Sequence, residues 1–183
     1  MAGRMDRKQY GIELFRRGLA PRLVLSVGRF EVSKMPVLGL DCAEDLKALR
    51  DRIPAEERHF FVILDGLGVH IEKASLPRWN TYGEMLGLRQ LLGREPMRRI
   101  MVVSTDIHLN RVAVTLAKVC RGMQVEFRYC PVPLTPASPS KENWWLRAHD
   151  RRFVGSELVK LAGYRIILSM PAAVSGWLMR LKD

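Results

Sequence analysis

Four short apolar runs, Leu23–Val27, Phe60–Leu64, Ile100–Val103 and Val125–Tyr129, constrain this chain more than any other feature. The first three are almost continuously apolar, as strands covered on both faces are. The fourth alternates, which suits an edge strand. Helical patterns separate them. Leu46 and Leu49 share one face over Ala43–Arg52, and Tyr82–Leu92 is rich in Leu and Met. Leu109, Val112, Ala113, Leu116, Ala117 and Cys120 form a regular helical stripe. Strands that alternate with helices predict βαβ units and a parallel sheet with helices on both faces. The expected fold is therefore an α/β domain with a mostly parallel sheet, its central strands being the first three runs. A further helix, Asp6–Arg17, precedes them and stops at Gly18, a residue suited to a helix C-terminus.

With 183 residues, 48% of them hydrophobic, the chain is predicted to form one compact domain over 1–183. Global disorder is excluded by the same numbers. The formal charge is +11, from 30 Lys+Arg against 19 Asp+Glu. Such an excess favours a small anionic molecule, nucleic acid or acidic lipid as partner, or it serves solubility alone. The charge is spread along the chain, so both readings stay open. The cysteines Cys42, Cys120 and Cys130 lack the spacing of a disulfide framework or a zinc site. No metal is expected, and a reducing, cytoplasmic setting is.

Pro131–Ser140, PVPLTPASPS, reads as a loop, taken to extend over 131–143. The tail, 166–183, is mostly apolar. Its stretch IILSMPAAVSGWLM is too short to cross a bilayer and is interrupted by Pro171. It reads as a core or interface segment. The alternative lays it on the surface of the inner membrane, with Arg165, Arg180 and Lys182 at the headgroups. The opening residues contain no apolar stretch long enough for a signal peptide or a membrane span.

In an open parallel sheet, ligands bind beyond the carboxyl ends of the strands. Ser26, Gly28 and Glu31 follow the first run. Asp65, Gly66, Gly68, His70 and Glu72 follow the second, and Ser104, Thr105, Asp106, His108 and Arg111 the third. Ser104, Thr105 and Asp106 are helix N-cap types, and a helix N-terminus favours an anion. His108 and Arg111 are three apart and share a face. The first can exchange a proton with a ligand, and the second can grip a carboxylate or phosphate. The rival reading makes the capping residues mere caps and His108 and Arg111 surface groups. Asn80 and Thr81, opening the next helix, are open to the same two readings. Trp79 and Tyr82 flank that helix start and suit either core filling or packing over a flat ligand. One cleft is expected to gather Ser26, Thr81, Ser104 and His108. No dinucleotide fingerprint, phosphate loop or nucleophile elbow occurs, and the trio Ser26, His108 and Asp65 is one that any chain of this length supplies.

Three segments together resemble the YdcF/SanA/ElyC family of bacterial proteins. RGLAPRLVLSVG is similar to its "G-x-A-P, strand, S-G-G" segment. ASLPRWNTYGEML is similar to its "E-x-x-S-x-N-T-x-E-N" segment. VVSTDIHLNRVAVTLAK is similar to its "V-T-S-x-x-H-M-x-R-A" segment, the most specific of the three. A later pattern from Trp145 through Glu157 to Tyr164 also fits. The resemblance implies a Rossmann-like three-layer α/β/α sandwich and a role in envelope biogenesis. It makes S-adenosylmethionine a candidate cofactor. It carries site roles to Ser26, Gly28, Glu31, Glu72, Ser75, Asn80, Thr81, Ser104, Thr105, His108 and Arg111. Val27 stands where the family has a second glycine, and Gly83-Glu84 where Glu-Asn is usual. The family's opening strand, with its Gly-rich turn, is not among the matched segments.

The function expected first is thus a small-molecule site at the carboxyl edge of the sheet, for an anionic or nucleotide-like ligand. No residue set compels a reaction type. Peripheral attachment to a membrane through the tail is the next reading. Nucleic-acid binding ranks below both, because it wants basic residues clustered with stacking aromatics. Arg147, Arg151 and Arg152 beside Trp144 and Trp145 form only a modest cluster.

Overall fold

The computed structural model describes residues 5–28, 30–40, 42–54, 58–74, 81–134, 143–171 and 174. The chain divides into two compact units, Met1–Gly87 and Leu88–Asp183. Both mix helices and strands.

The first unit opens with α1 (Met5–Arg16) and β1 (Leu23–Gly28). Gly18 adopts φ +74, the left-handed conformation that favours glycine. Its N–H bonds the Phe15 carbonyl at 2.9 Å, and the N–H of Leu19 bonds the Leu14 carbonyl at 3.2 Å. These two bonds close the helix as a Schellman motif. A 3-10 helix (Val32–Leu38) and α2 (Ala43–Arg52) follow, then β2 (His59–Asp65) and β3 (Gly68–Lys73). The helix α3 (Thr81–Arg94) begins in this unit.

The three strands form one antiparallel sheet in the order β1-β2-β3. This corrects the expected parallel pairing of Leu23–Val27 with Phe60–Leu64, and β1 is an edge of its sheet. A continuous apolar run reports burial on two faces, not strand direction. Both faces are buried here. Leu25, Val27, Phe60, Val62 and Leu64 join Ile12, Val32, Met35, Leu38, Cys42 and Leu46 in one core. The opposite face of β1 and β2 carries Ser26, His59, Phe61 and Ile63, also buried. β3 is a strand beyond the four apolar runs, and it takes up Gly68, His70 and Glu72, which follow the second run. Asp65 pairs with Gly68 across a two-residue hairpin turn, and the Leu67 N–H bonds Asp65 Oδ1 at 2.9 Å.

The second unit contains β4 (Arg99–Ser104), α4 (Asp106–Val119), β5 (Glu126–Pro131) and α5 (Ala148–Ser169). β4 and β5 pair in parallel, as expected, from Arg99 opposite Glu126 to Ser104 opposite Pro131. Among the described residues they form a two-stranded sheet of their own, which corrects the expectation that Ile100–Val103 is a central strand beside the first two runs, covered on both faces: Met101 is 40% exposed, and a short apolar run marks a strand without fixing its neighbours. Of the α4 stripe, Leu109, Val112, Leu116 and Cys120 are buried and Ala113 partly so, while Ala117 is exposed. α5 takes up Ile166–Ser169 from the expected apolar tail. Most of the Pro-rich loop and of the remaining tail lie outside the described residues. Among the described residues, no helix is long and apolar enough to cross a membrane.

Candidate functional site

Among the described residues, sequence-predicted site residues enter two polar clusters, Ser26, Gly28 and Glu31 in the first unit and His108 and Arg111 in the second. In the first unit, Ser26 projects from β1 and His59 opens β2, diagonal neighbours on one face. Ser26 Oγ lies 2.8 Å from His59 Nε2 and donates to Glu84 Oε1 of α3 at 2.5 Å. A serine hydroxyl has one proton. With that proton on Glu84, His59 Nε2–H is the donor to Ser26. Burial lowers the His59 pKa, while Glu84 and Glu31 pull it up less strongly, so the ring is neutral near pH 7. The order imidazole to hydroxyl to carboxylate is the reverse of a hydrolase triad, where the imidazole takes the hydroxyl proton. Ser26 is a relay in this arrangement, not a base-activated nucleophile.

Glu31 forms the other half of the cluster. The Gly28 N–H bonds Glu31 Oε2 at 2.8 Å, so the end of β1 and the start of the 3-10 helix are clamped by one carboxylate. Lys8 Nζ reaches Glu31 Oε1 at 2.7 Å, with its side chain only 1% exposed. Thr81 is buried at the start of α3, and Glu72 sits on β3 opposite Phe61. Ser75 and Asn80 lie outside the described residues.

In the second unit, α4 and α5 meet through Glu157. Arg111 Nη2 donates to Glu157 Oε1 at 3.1 Å and Oε2 at 2.9 Å, and Arg111 Nε adds a contact of 3.2 Å to Oε2. Lys160 Nζ bonds Oε1 at 3.1 Å. The Arg111 guanidinium also lies over the Tyr164 ring, 5.3 Å from its centroid. His108 Nδ1 is 3.2 Å from Glu157 Oε2 and 2.9 Å from Arg111 Nη2. These two contacts are alternatives. Nδ1 donates to Glu157 when it carries a proton and accepts from Arg111 when it does not. Burial acts to raise the Glu157 pKa. Bonds from His108 and Arg111, with a smaller one from Lys160, outweigh it and hold the carboxyl far below the ordinary range.

Arg111 and His108 are thus buried, not surface groups. The carboxylate in the guanidinium fork is the chain's own. Ser104 ends β4 with no exposed surface, and its Oγ has no hydrogen-bond partner among the described residues. Its carbonyl accepts from the Val132 N–H at 2.9 Å. Thr105 occupies the N-cap of α4 and makes no side-chain capping bond, contrary to the pure capping reading.

Sequence reasoning missed Lys8 and His59. Lys8 lies in a charged helical stretch with nothing to mark it as buried, and His59 merely borders an apolar run. Glu84 and Glu157 were visible within the motif segments, but their partners were not. Among the described residues, no group of three or more His, Cys, Asp or Glu could hold a metal ion. Comparisons with protein-family models, curated proteins and solved structures give no match.

Proposed function

We propose that this chain is a YdcF-like protein that binds a small anionic or nucleotide-like molecule at the turn between β4 and α4. Ser104 carries this reading. A wholly buried hydroxyl with no partner among the described residues forfeits about 1–3 kcal/mol when left unsatisfied, and such groups collect where a ligand completes them. The turn also opens a helix of 14 residues, whose N-terminal dipole favours negative charge. His108 lies in the first turn of α4 and Arg111 in the second, where both are held by Glu157. On this reading, β4–α4–β5 is the ligand-binding half of a Rossmann-like three-layer sandwich. S-adenosylmethionine is the candidate ligand, and envelope biogenesis the process served.

Calorimetric titration with S-adenosylmethionine, and separately with inorganic phosphate, tests the site. The expected result is binding of at least one, weakened roughly two- to tenfold by Ser104→Ala, the value of one hydrogen bond. Absence of heat from both ligands, or equal affinity in the variant, overturns it.

A further inference from the structure

We propose that the outer face of α5 docks on an anionic membrane surface, lying in its plane. The inner side of this helix is satisfied, since Val154, Tyr164 and Leu168 are buried. The outer side is mixed, with Arg151, Arg152 and Ser156 exposed near its start and an apolar stripe beyond them. Leu158, Val159 and Ile166 are 47%, 73% and 62% exposed, and Ala162 between them is exposed as well. Spacings of four residues place Leu158, Ala162 and Ile166 in one line, and Val159 beside it. From Leu158 to Ile166 apolar residues therefore occupy the outer side as well as the inner one, with Lys160 and Arg165 exposed beside them, a pattern that calls for cover on both sides.

Charge decides what the cover is. The exposed arginines Arg151 and Arg152 stand at the N-terminal end of the stripe, and the exposed Arg165 lies among its last residues. No exposed acidic side chain shares the helix beyond them, because Asp150 and Glu157 are buried. Apolar residues bordered by arginines match the two layers of an anionic bilayer surface, acyl chains below and phosphates beside. Arginine stems extend along apolar surface while their heads reach the phosphates. Trp145 is an exposed aromatic near the N-terminal end of α5. It is 50% exposed, and Arg151 Nη1 holds its carbonyl at 2.8 Å, just ahead of the helix. Tryptophan favours the headgroup level of a bilayer. The helix has 22 residues, about 33 Å, but too many charges to span, so it lies flat. This proposal is independent of the β4–α4 ligand site.

Flotation of the full chain with vesicles tests it. One set contains phosphatidylglycerol and phosphatidylcholine in equal parts, and the other phosphatidylcholine alone. The protein is expected to float with the anionic set only, and less at high salt. Replacing Leu158, Val159 and Ile166 by Ser should abolish flotation, since all three are exposed and the fold does not need them. Arg152→Gln with Arg165→Gln should weaken partitioning roughly fivefold per arginine. Near-ultraviolet circular dichroism confirms that the variants are folded. Failure of the wild-type protein to float overturns the proposal, as does flotation indifferent to either set of substitutions. A concentration-dependent dimer that the triple variant dissolves assigns the face to a second copy and overturns it too.

Discussion

Arg111 donates to both oxygens of Glu157, at 3.1 and 2.9 Å, and so joins α4 to α5 across 46 positions of the chain. Both side chains are buried, so removing Arg111 leaves a buried carboxylate that His108 and the exposed Lys160 offset only in part. Arg111→Ala should therefore destabilise the fold by about 3–5 kcal/mol in denaturant melts. Arg111→Met combined with Glu157→Leu should recover most of that, because the pair then leaves no charge behind. A loss below about 1 kcal/mol for Arg111→Ala would show that Glu157 does not depend on it.

Acid should weaken the same joint. The folded-state pKa of Glu157 is depressed, so its contribution to stability is complete above the unfolded value of 4.5 and is lost as the pH falls below it. Glu157→Gln should flatten that part of the stability profile. Melts between neutral pH and the onset of acid unfolding, on both proteins, check the sign.

His59 should add a second slope at higher pH. Its folded-state pKa is lowered below 6.5, so below that pH the unfolded chain binds a proton that the folded chain refuses. Stability should fall as the pH drops below 6.5 and be indifferent to His59 above it. The ring resonances of His59 should show the neutral Nε2–H tautomer at pH 7. A ring that titrates at its ordinary value would contradict the assignment.

Lys8 should behave as a buried ion, not as a surface lysine. Lys8→Met strands the Glu31 carboxylate, which also holds the Gly28 N–H, and should destabilise the protein by about 3–5 kcal/mol. Lys8→Arg should restore little of it, since a planar guanidinium does not fit a site shaped for an ammonium. Equilibrium denaturation of the two variants distinguishes this from the small effect of an exposed lysine.

Periodicity alone placed β1, β2, β4, β5, α2, α3 and α4 close to their observed bounds. The reason is that burial of a face writes a local pattern into the chain, and that pattern survives without knowledge of partners. The end of α1 at Gly18 was legible for a similar reason, since a left-handed residue selects glycine. The hairpin to β3 has a signal, Asp65-Gly66 followed by alternating Val69 and Ile71, but it is weak, because His70 and Glu72 between them make the segment look polar. Strand direction was not legible at all. Phe60–Leu64 is apolar throughout because both faces are covered, and such a run looks the same in parallel and antiparallel sheets. The partners of charged residues were equally hidden. His108 and Arg111 stood out by spacing, yet only the packing of α4 against α5 decided that Glu157 holds them. Lys8, Glu31, Ser26, His59 and Glu84 come from distant parts of the first unit, and no local pattern records which carboxylate a buried cation will meet. Local residue chemistry determined the elements of this protein, and long-range packing alone decided how they pair and where its charges rest.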